Sequence, residues 1–345
     1  MRAVAAFIVA LLGAALCVVL HTPLPWLIGP LVAVALAGML GVSLRSPIAA
    51  RAVGQWTIGI VLGLYFSPDV VREVVRLAPW VLAAIAFAVA LGAAGAWVLR
   101  RATSADDATA FFSMAIGGAS EMATQAERHG GRVDRVAAAH SLRLMIVVLT
   151  VPFLFKAMDV HGVDPELPVT HAFSWPGLAV LLAVTAGAAA VMNRLGWPNG
   201  WMIGPLLTTA VLTAADQHFS SLPTVVVNGG QLLIGMSLGI HFTAEFFRAA
   251  PRFLLTVALI TVGYLVVAAG FGLLLAQGSG LRSATAVIAT TPGGIGEMAL
   301  TARALDLGVA IVTAFHALRM VVVVLTVGPL FRFWASHRAR ASDAD

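Results

Sequence analysis

Glu297, His316 and Arg319 are ionisable residues set in a very apolar stretch, and the first half of the chain carries the same three as Glu121, His140 and Arg143. The Glu-to-His interval is 19 in both halves (316 − 297 and 140 − 121), and each His precedes its Arg by three residues. Each Glu closes a Gly-Gly-x-x-Glu-Met motif, on Gly117-Gly118 in one half and Gly293-Gly294 in the other, the second with Gly296 inside it. Ionisable groups are costly in a bilayer, so a repeated set is a candidate functional site. The chemistry it offers is binding. The arginines lean towards an organic anion, the carboxylates towards a cation or a proton. In the plainer reading each Glu is a structural ion-pair partner of Arg143 or Arg319, and each His is a hydrogen-bonded core residue. Charge and broken backbone occur together, twice, which favours a site.

The backbone around these side chains must be interrupted. Glycine costs a helix about 1 kcal/mol relative to alanine, and lipid cannot satisfy the backbone groups a break frees. Pro292 removes a further donor and disfavours helix at Thr291. We therefore expect a broken or re-entrant helix with its tip at membrane depth, the next residues starting a new helix. Their free N–H groups suit an anion, unless Glu121 and Glu297 cap those helix starts themselves. His140 and Arg143 share a helix face, as do His316 and Arg319; Arg143 stands near one end of an apolar run, where snorkelling is open to it.

The composition supports a membrane setting. Of 345 residues, 60% are hydrophobic and 11% charged, with a mean hydropathy of +0.94, against about 25% charged in soluble domains. The formal charge of +5 and pI near 10.6 do not indicate nucleic acid, because the basic residues fall in the short gaps between apolar runs. Cys17 is the sole cysteine, which excludes an intrachain disulfide and a cysteine-rich metal site. Residues 3–20 are read as a membrane helix and not a cleaved signal, since they have a counterpart at 176–192.

The whole chain repeats. Trp26-Leu27-Ile28-Gly29-Pro30 matches Trp201-Met202-Ile203-Gly204-Pro205 at an offset of 175, and Gly54-Gln55 matches Gly230-Gln231 at 176. Gly59 and Gly63 match Gly235 and Gly239, and these GxxxG ridges allow close helix approach. Gln55 and Gln231, one turn earlier, are candidates to satisfy the broken backbone opposite. Trp26 and Trp201 read as interfacial anchors. Asp106 and Asp107 beside Arg100 and Arg101 read as a solvated charge cluster.

Apolar spans are expected at 3–20, 24–41, 53–66, 79–99 and 136–157, then at 174–192, 199–214, 225–240, 253–276 and 308–331. The weaker segments 105–120 and 283–296 carry the breaks. The first repeat is 1–157, a polar linker 158–173 is expected outside, the second repeat is 174–332, and 333–345 is a cytoplasmic tail. If the weak segments dip in and return, each half crosses five times and the second is inverted relative to the first. If they cross, the halves are parallel. The lysine- and arginine-free linker against the arginine-rich tail favours inversion, while Arg72, Arg76, Arg282 and Arg303 count against it.

Taken together, the two Trp-(Leu or Met)-Ile-Gly-Pro copies, Gly-Gln with spaced glycines, Gly-Gly-x-x-Glu-Met and His-x-x-Arg resemble the AbrB family of bacterial integral membrane proteins, over nearly the whole chain. The first copy lacks the Pro before its Gly-Gly, and the second has Asn199-Gly200 where the first has Leu24-Pro25, so the halves are not expected to be equivalent. Family members carry labels such as ammonia monooxygenase and regulator of gene expression. The broken-helix pattern is also similar to inverted-repeat transporters that work by an elevator motion.

An oxygenase needs clustered metal ligands, and here the nine histidines are scattered. A DNA-binding regulator needs a soluble basic module. We therefore expect an all-α polytopic protein of the inner (plasma) membrane that is not an enzyme. It would transport a small solute, coupled to an ion or proton, by alternating access at its broken helices. No cofactor or metal is expected, and no nucleic acid. The expected partners are the lipid bilayer and the solute, and a homodimer is compatible with the sequence. The alternative is a membrane sensor that binds a small ligand and affects gene expression indirectly.

Overall fold

The computed structural model describes residues 1–162 and 173–342. Residues 163–172 of the expected linker and 343–345 of the expected tail lie outside the described residues. The first half contains α1 (Arg2–Val19), α2 (Pro25–Met39), α3 (Ile48–Gly63), α4 (Pro68–Arg76), α5 (Ala78–Ala102), α6 (Asp107–Met114), α7 (Ala119–Arg128) and α8 (Val133–Ala157). The second contains α9 (Trp175–Arg194), α10 (Gly200–Ala214), α11 (Thr224–Gly239), α12 (Ala244–Ala249), α13 (Pro251–Ser279), α14 (Ser283–Thr290), α15 (Ile295–Ala304) and α16 (Val309–Ser342). No strand occurs among the described residues. Helices α1, α5, α8, α9, α13 and α16 are long and apolar enough to cross a bilayer, and α2, α3, α10 and α11 are shorter apolar helices. Exposed leucines and valines stud the long helices, as lipid-facing surfaces require. The chain is an all-α polytopic membrane protein.

Both weak segments are broken helices. Helix α6 ends at Met114 and α7 begins at Ala119; α14 ends at Thr290 and α15 begins at Ile295. Each pair is a hairpin whose outer ends meet again. The Arg132 backbone N–H donates to Thr109 Oγ1 at 2.7 Å, and that of Gly308 donates to Thr285 Oγ1 at 3.4 Å. Asp106 opens α6 as its N-cap, accepting from Thr109 N at 2.7 Å, and Asp107 pairs with Arg100 at 2.7 Å. The acidic pair is thus a cap and an ion pair, not a loose solvated cluster.

Two elements were not expected from sequence, α4 and α12. Helix α4 starts on a Ser67 N-cap, has Pro68 in its first turn, and pairs Arg72 with Asp69 and Arg76 with Glu73 along one exposed side. Two of the four arginines that weigh against the expected topology, Arg72 and Arg76, therefore sit on a short amphipathic helix beside their own counter-ions.

The helices pack as two groups, each drawn from both halves. Helices α1, α2 and α3 interlock with α9, α10 and α11, while α5 to α8 interlock with α13 to α16. The groups touch each other only sparsely, mainly where α15 and α16 meet α3 and where α4 meets α10 and α16.

The GxxxG ridges lie at the centre of the first group. A Cβ on Gly59 would come within 2.5 Å of the Met202 carbonyl oxygen, and one on Gly235 within 2.2 Å of that of Leu27. Gly63 approaches Leu206 and Gly239 approaches Leu31 in the same way. These contacts are reciprocal under the sequence offset: 59 pairs with 202, and 235 with 27. Only glycine lets two backbones approach so closely.

Candidate functional site

Arg319 and Arg143 lie deep in the protein, 6% and 3% exposed, and neither snorkels to an interface. Each reaches the C-terminal end of the half-helix before its break. Arg319 donates from Nη1 to Thr291 O at 2.8 Å and from Nη2 to Gly293 O at 2.6 Å. Arg143 donates to Ala115 O at 3.1 Å and, more loosely, to Ser113 O and Met114 O. The acceptors are carbonyls of the helix end and of the break after it, where the helix ladder supplies no donors, though Thr291 O also accepts from the Gly293 N–H at 2.9 Å; a cation there also complements the helix dipole. The described residues contain no ion pair between either arginine and Glu121 or Glu297. The ion-pair reading of those glutamates is overturned, because the guanidiniums are already engaged with backbone.

The carboxylates sit at the other side of each break. Glu121 is the third residue of α7 and Glu297 the third of α15, the position from which an acidic side chain can fold back over a helix start. Both do so: a Cβ on Gly118 would stand 2.0 Å from Glu121 Oε2, and one on Gly294 would stand 2.1 Å from Glu297 Oε2. Glycine is required at both N-caps to leave that room. Glu121 also accepts from the Asn199 backbone N–H at 3.2 Å and from Ser120 Oγ at 3.0 Å. The Asn199 bond joins α7 of one helix group to the start of α10 in the other.

The histidines differ between the halves. His140 Nε2 donates to Phe112 O at 2.9 Å, so its Nδ1 accepts from Arg143 Nη2 at 2.8 Å. His316 turns the other way, its Nδ1 donating to Val312 O at 2.9 Å within its own helix. That leaves His316 Nε2 without a hydrogen-bond partner among the described residues, and Arg319 Nε likewise. Both residues are almost completely buried. A buried polar atom left unpaired costs about 1–3 kcal/mol, so the helix facing the second-half break carries an unmet acceptor and an unmet donor three residues apart.

All of these groups face one cleft of about 370 Å³ between the two helix groups. Both breaks reach it through Gly117, Gly118, Gly293, Gly294 and Gly296, and with them come Glu121, Glu297, His140, His316, Arg143 and Arg319. Gln55 lines it from α3. Gln231, also expected there, does not; it is 8% exposed and packed inside the first helix group. The reason is that the cleft meets α3 near its start, at Arg51 and Gln55, but α11 near its end, at Ile234 and Leu238.

Among the cleft residues that sequence reasoning did not assign to the site are Arg51, Asn193, Trp197 and Asn199. Arg51 faces Val227 in the repeat alignment (51 + 176), so a search for duplicated residues passes over it. Trp201, expected as an interfacial anchor, lines the cleft as well. The turn between α9 and α10 thus contributes to the cleft, whereas the equivalent turn between α1 and α2 does not.

The profile of the family described as "Transition state regulatory protein AbrB" matches residues 26–335. A protein of Escherichia coli (strain K12) whose provisional name is regulator AbrB is 27% identical over 328 residues, 93% of each chain. "Uncharacterized protein YhjN" of Bacillus subtilis (strain 168) is 24% identical over 297 residues, 81% of this chain and 77% of that one.

Proposed function

The chain belongs to the AbrB family of membrane proteins, and from that premise and the cleft we propose that it is a secondary transporter of a small organic anion, coupled to a proton or another cation, in the inner (plasma) membrane. The observation that carries this reading is the cleft itself. Two helix breaks open onto one solute-sized cavity, between two helix groups that otherwise touch little. Broken helices at matching places in two halves are the usual pointer to a transport site.

The anion is supported on different grounds from those of the sequence. Arg143 and Arg319 are held by backbone carbonyls, so the cation left to meet a solute is Arg51, which shares the cleft with Glu297 and has no salt bridge to it among the described residues. The unpartnered Arg319 Nε adds a donor. Glu297 and Glu121 occupy the half-helix starts where an anion would otherwise bind. Protonation or ion binding at Glu297 would relieve that competition, which is how coupling would arise.

Our topological reading is five crossings per half with the second half inverted. It rests on the hairpins: α6–α7 returns to its starting point at Thr109 and Arg132, and α14–α15 at Thr285 and Gly308. The termini are then inside and the cleft opens inside.

The test is flux in reconstituted liposomes, with thermal stabilisation by a panel of organic anions, amino acids and cations to identify the solute. The transporter reading expects uptake by the wild type and little by Glu297→Gln, at unchanged insertion. Normal uptake by that variant would sink the assignment of Glu297. The second reading, a ligand-sensing regulatory membrane protein, is favoured by one observation, the provisional name of the Escherichia coli relative. Binding without flux would select it.

A further inference from the structure

A second cavity, of about 350 Å³, lies away from the cleft, where the end of α5, the start of α8 and the start of α13 come together. Three arginines line it, one from each helix: Arg101, Arg135 and Arg252. No acidic residue is among its lining. This sets the three apart from their neighbours in charge. Arg72, Arg76, Arg100 and Arg132 each hold a carboxylate, at Asp69, Glu73, Asp107 and Asp134. Among the described residues Arg101 and Arg135 instead lie over aromatic rings, with Cζ 4.1 Å from the Trp97 ring centre and 5.6 Å from that of Phe253. Three like charges gathered without a counter-ion repel one another, and an anion in the cavity would turn that repulsion into attraction.

The position says which anion. The cavity sits at the ends of three membrane-crossing helices, the depth of lipid headgroups. Directly along α13 from Arg252 runs an exposed apolar face of Leu255, Leu259, Val262 and Val266, spaced for one side of a helix. Trp97, one turn before Arg101 on α5 and stacked under its guanidinium, is also exposed, as tryptophan is at membrane interfaces. A soluble phosphate would use only the arginines. A phospholipid would use the arginines with its headgroup and the apolar face with its chains. Basic pockets between helix ends are suited to anionic headgroups, and guanidinium to phosphate in particular.

We propose that this cavity holds the headgroup of an anionic phospholipid, its phosphate between Arg101, Arg135 and Arg252. Phosphatidylglycerol would be titrated onto the purified full-length protein in a neutral detergent, with bound lipid counted by native mass spectrometry. The wild type should retain phosphatidylglycerol, and the R101Q/R252Q variant should bind it roughly ten-fold more weakly. The charge-preserving R101K/R252K should lie between them. Unchanged thermal unfolding in neutral detergent would show that the variants fold.

Four outcomes would overturn the proposal. Equal binding by R101Q/R252Q would remove the arginines from the site. Equal weakening by R2Q/R45Q, which removes the same charge elsewhere, would leave only general electrostatics. Inorganic phosphate that displaces the lipid, or phosphatidylcholine retained as well as phosphatidylglycerol, would point to a soluble anion or to no headgroup selection.

Discussion

Arg319 and Arg51 are both cations of the cleft, yet their environments assign them different work. Arg319 satisfies two buried carbonyls at the end of a half-helix. Replacing it by alanine removes the Arg319 donor from Gly293 O and leaves Thr291 O with only the Gly293 N–H, at about 1–3 kcal/mol for the unpaired carbonyl. Arg319→Ala is therefore expected to lower thermal stability by several degrees or to prevent recovery of folded protein. Arg51 is half-buried, with no hydrogen bond or ion pair among the described residues. Arg51→Gln should leave the unfolding temperature nearly unchanged and weaken solute stabilisation about ten-fold, the effect of losing one charge-assisted contact. A ligand screen by thermal shift on the two variants separates these outcomes. In the sequence, duplication marks Arg319 and nothing marks Arg51.

At the scale of the element, the repeated glycines are the sensitive positions, and each does something different. At Gly294 the added methyl would meet the Glu297 carboxylate at 2.1 Å, the movable end of a side chain. Gly294→Ala should therefore push Glu297 off the start of α15 and reduce flux, with only a small loss of stability. At Gly59 the added atom would meet the Met202 carbonyl at 2.5 Å, which is backbone within the tightest helix pair. Gly59→Val should cost about 1–3 kcal/mol or more through overpacking, read as a fall in unfolding temperature. Gly263, with nothing within 4 Å of its added Cβ, is the control. Gly263→Ala should be neutral or slightly stabilising, since alanine is the better helix former.

For the whole molecule, the decisive property is how the two halves are oriented. His21 lies in the turn between α1 and α2, and Leu195 in the equivalent turn between α9 and α10; both are exposed. In a Cys17→Ala background, His21→Cys and Leu195→Cys can be labelled with a membrane-impermeant thiol reagent in oriented vesicles. Inverted halves predict labelling from opposite faces, with Leu195→Cys on the face that carries the C-terminus. Parallel halves predict the same face for both. The cleft meets only the α9–α10 turn, so solute should also protect a cysteine at Asn193.

Much of this protein is written locally, and local patterns survive in sequence. Apolar run length marked the six long helices, because a helix needs roughly 20 apolar residues to match the bilayer's thickness. Gly-Gly with Pro292 determined the breaks, because backbone propensity acts over a few residues. The duplication of Glu, His and Arg determined which side chains share the cleft. Packing across long separations decided the rest. That Arg143 and Arg319 hold carbonyls and not carboxylates depends on where α8 and α16 dock against the hairpins. That Gln55 reaches the cleft while Gln231 does not depends on which ends of α3 and α11 meet it. A repeat in sequence makes the halves equal candidates. Only the tertiary arrangement makes them unequal, because one cleft between two helix groups cannot touch both turns at once.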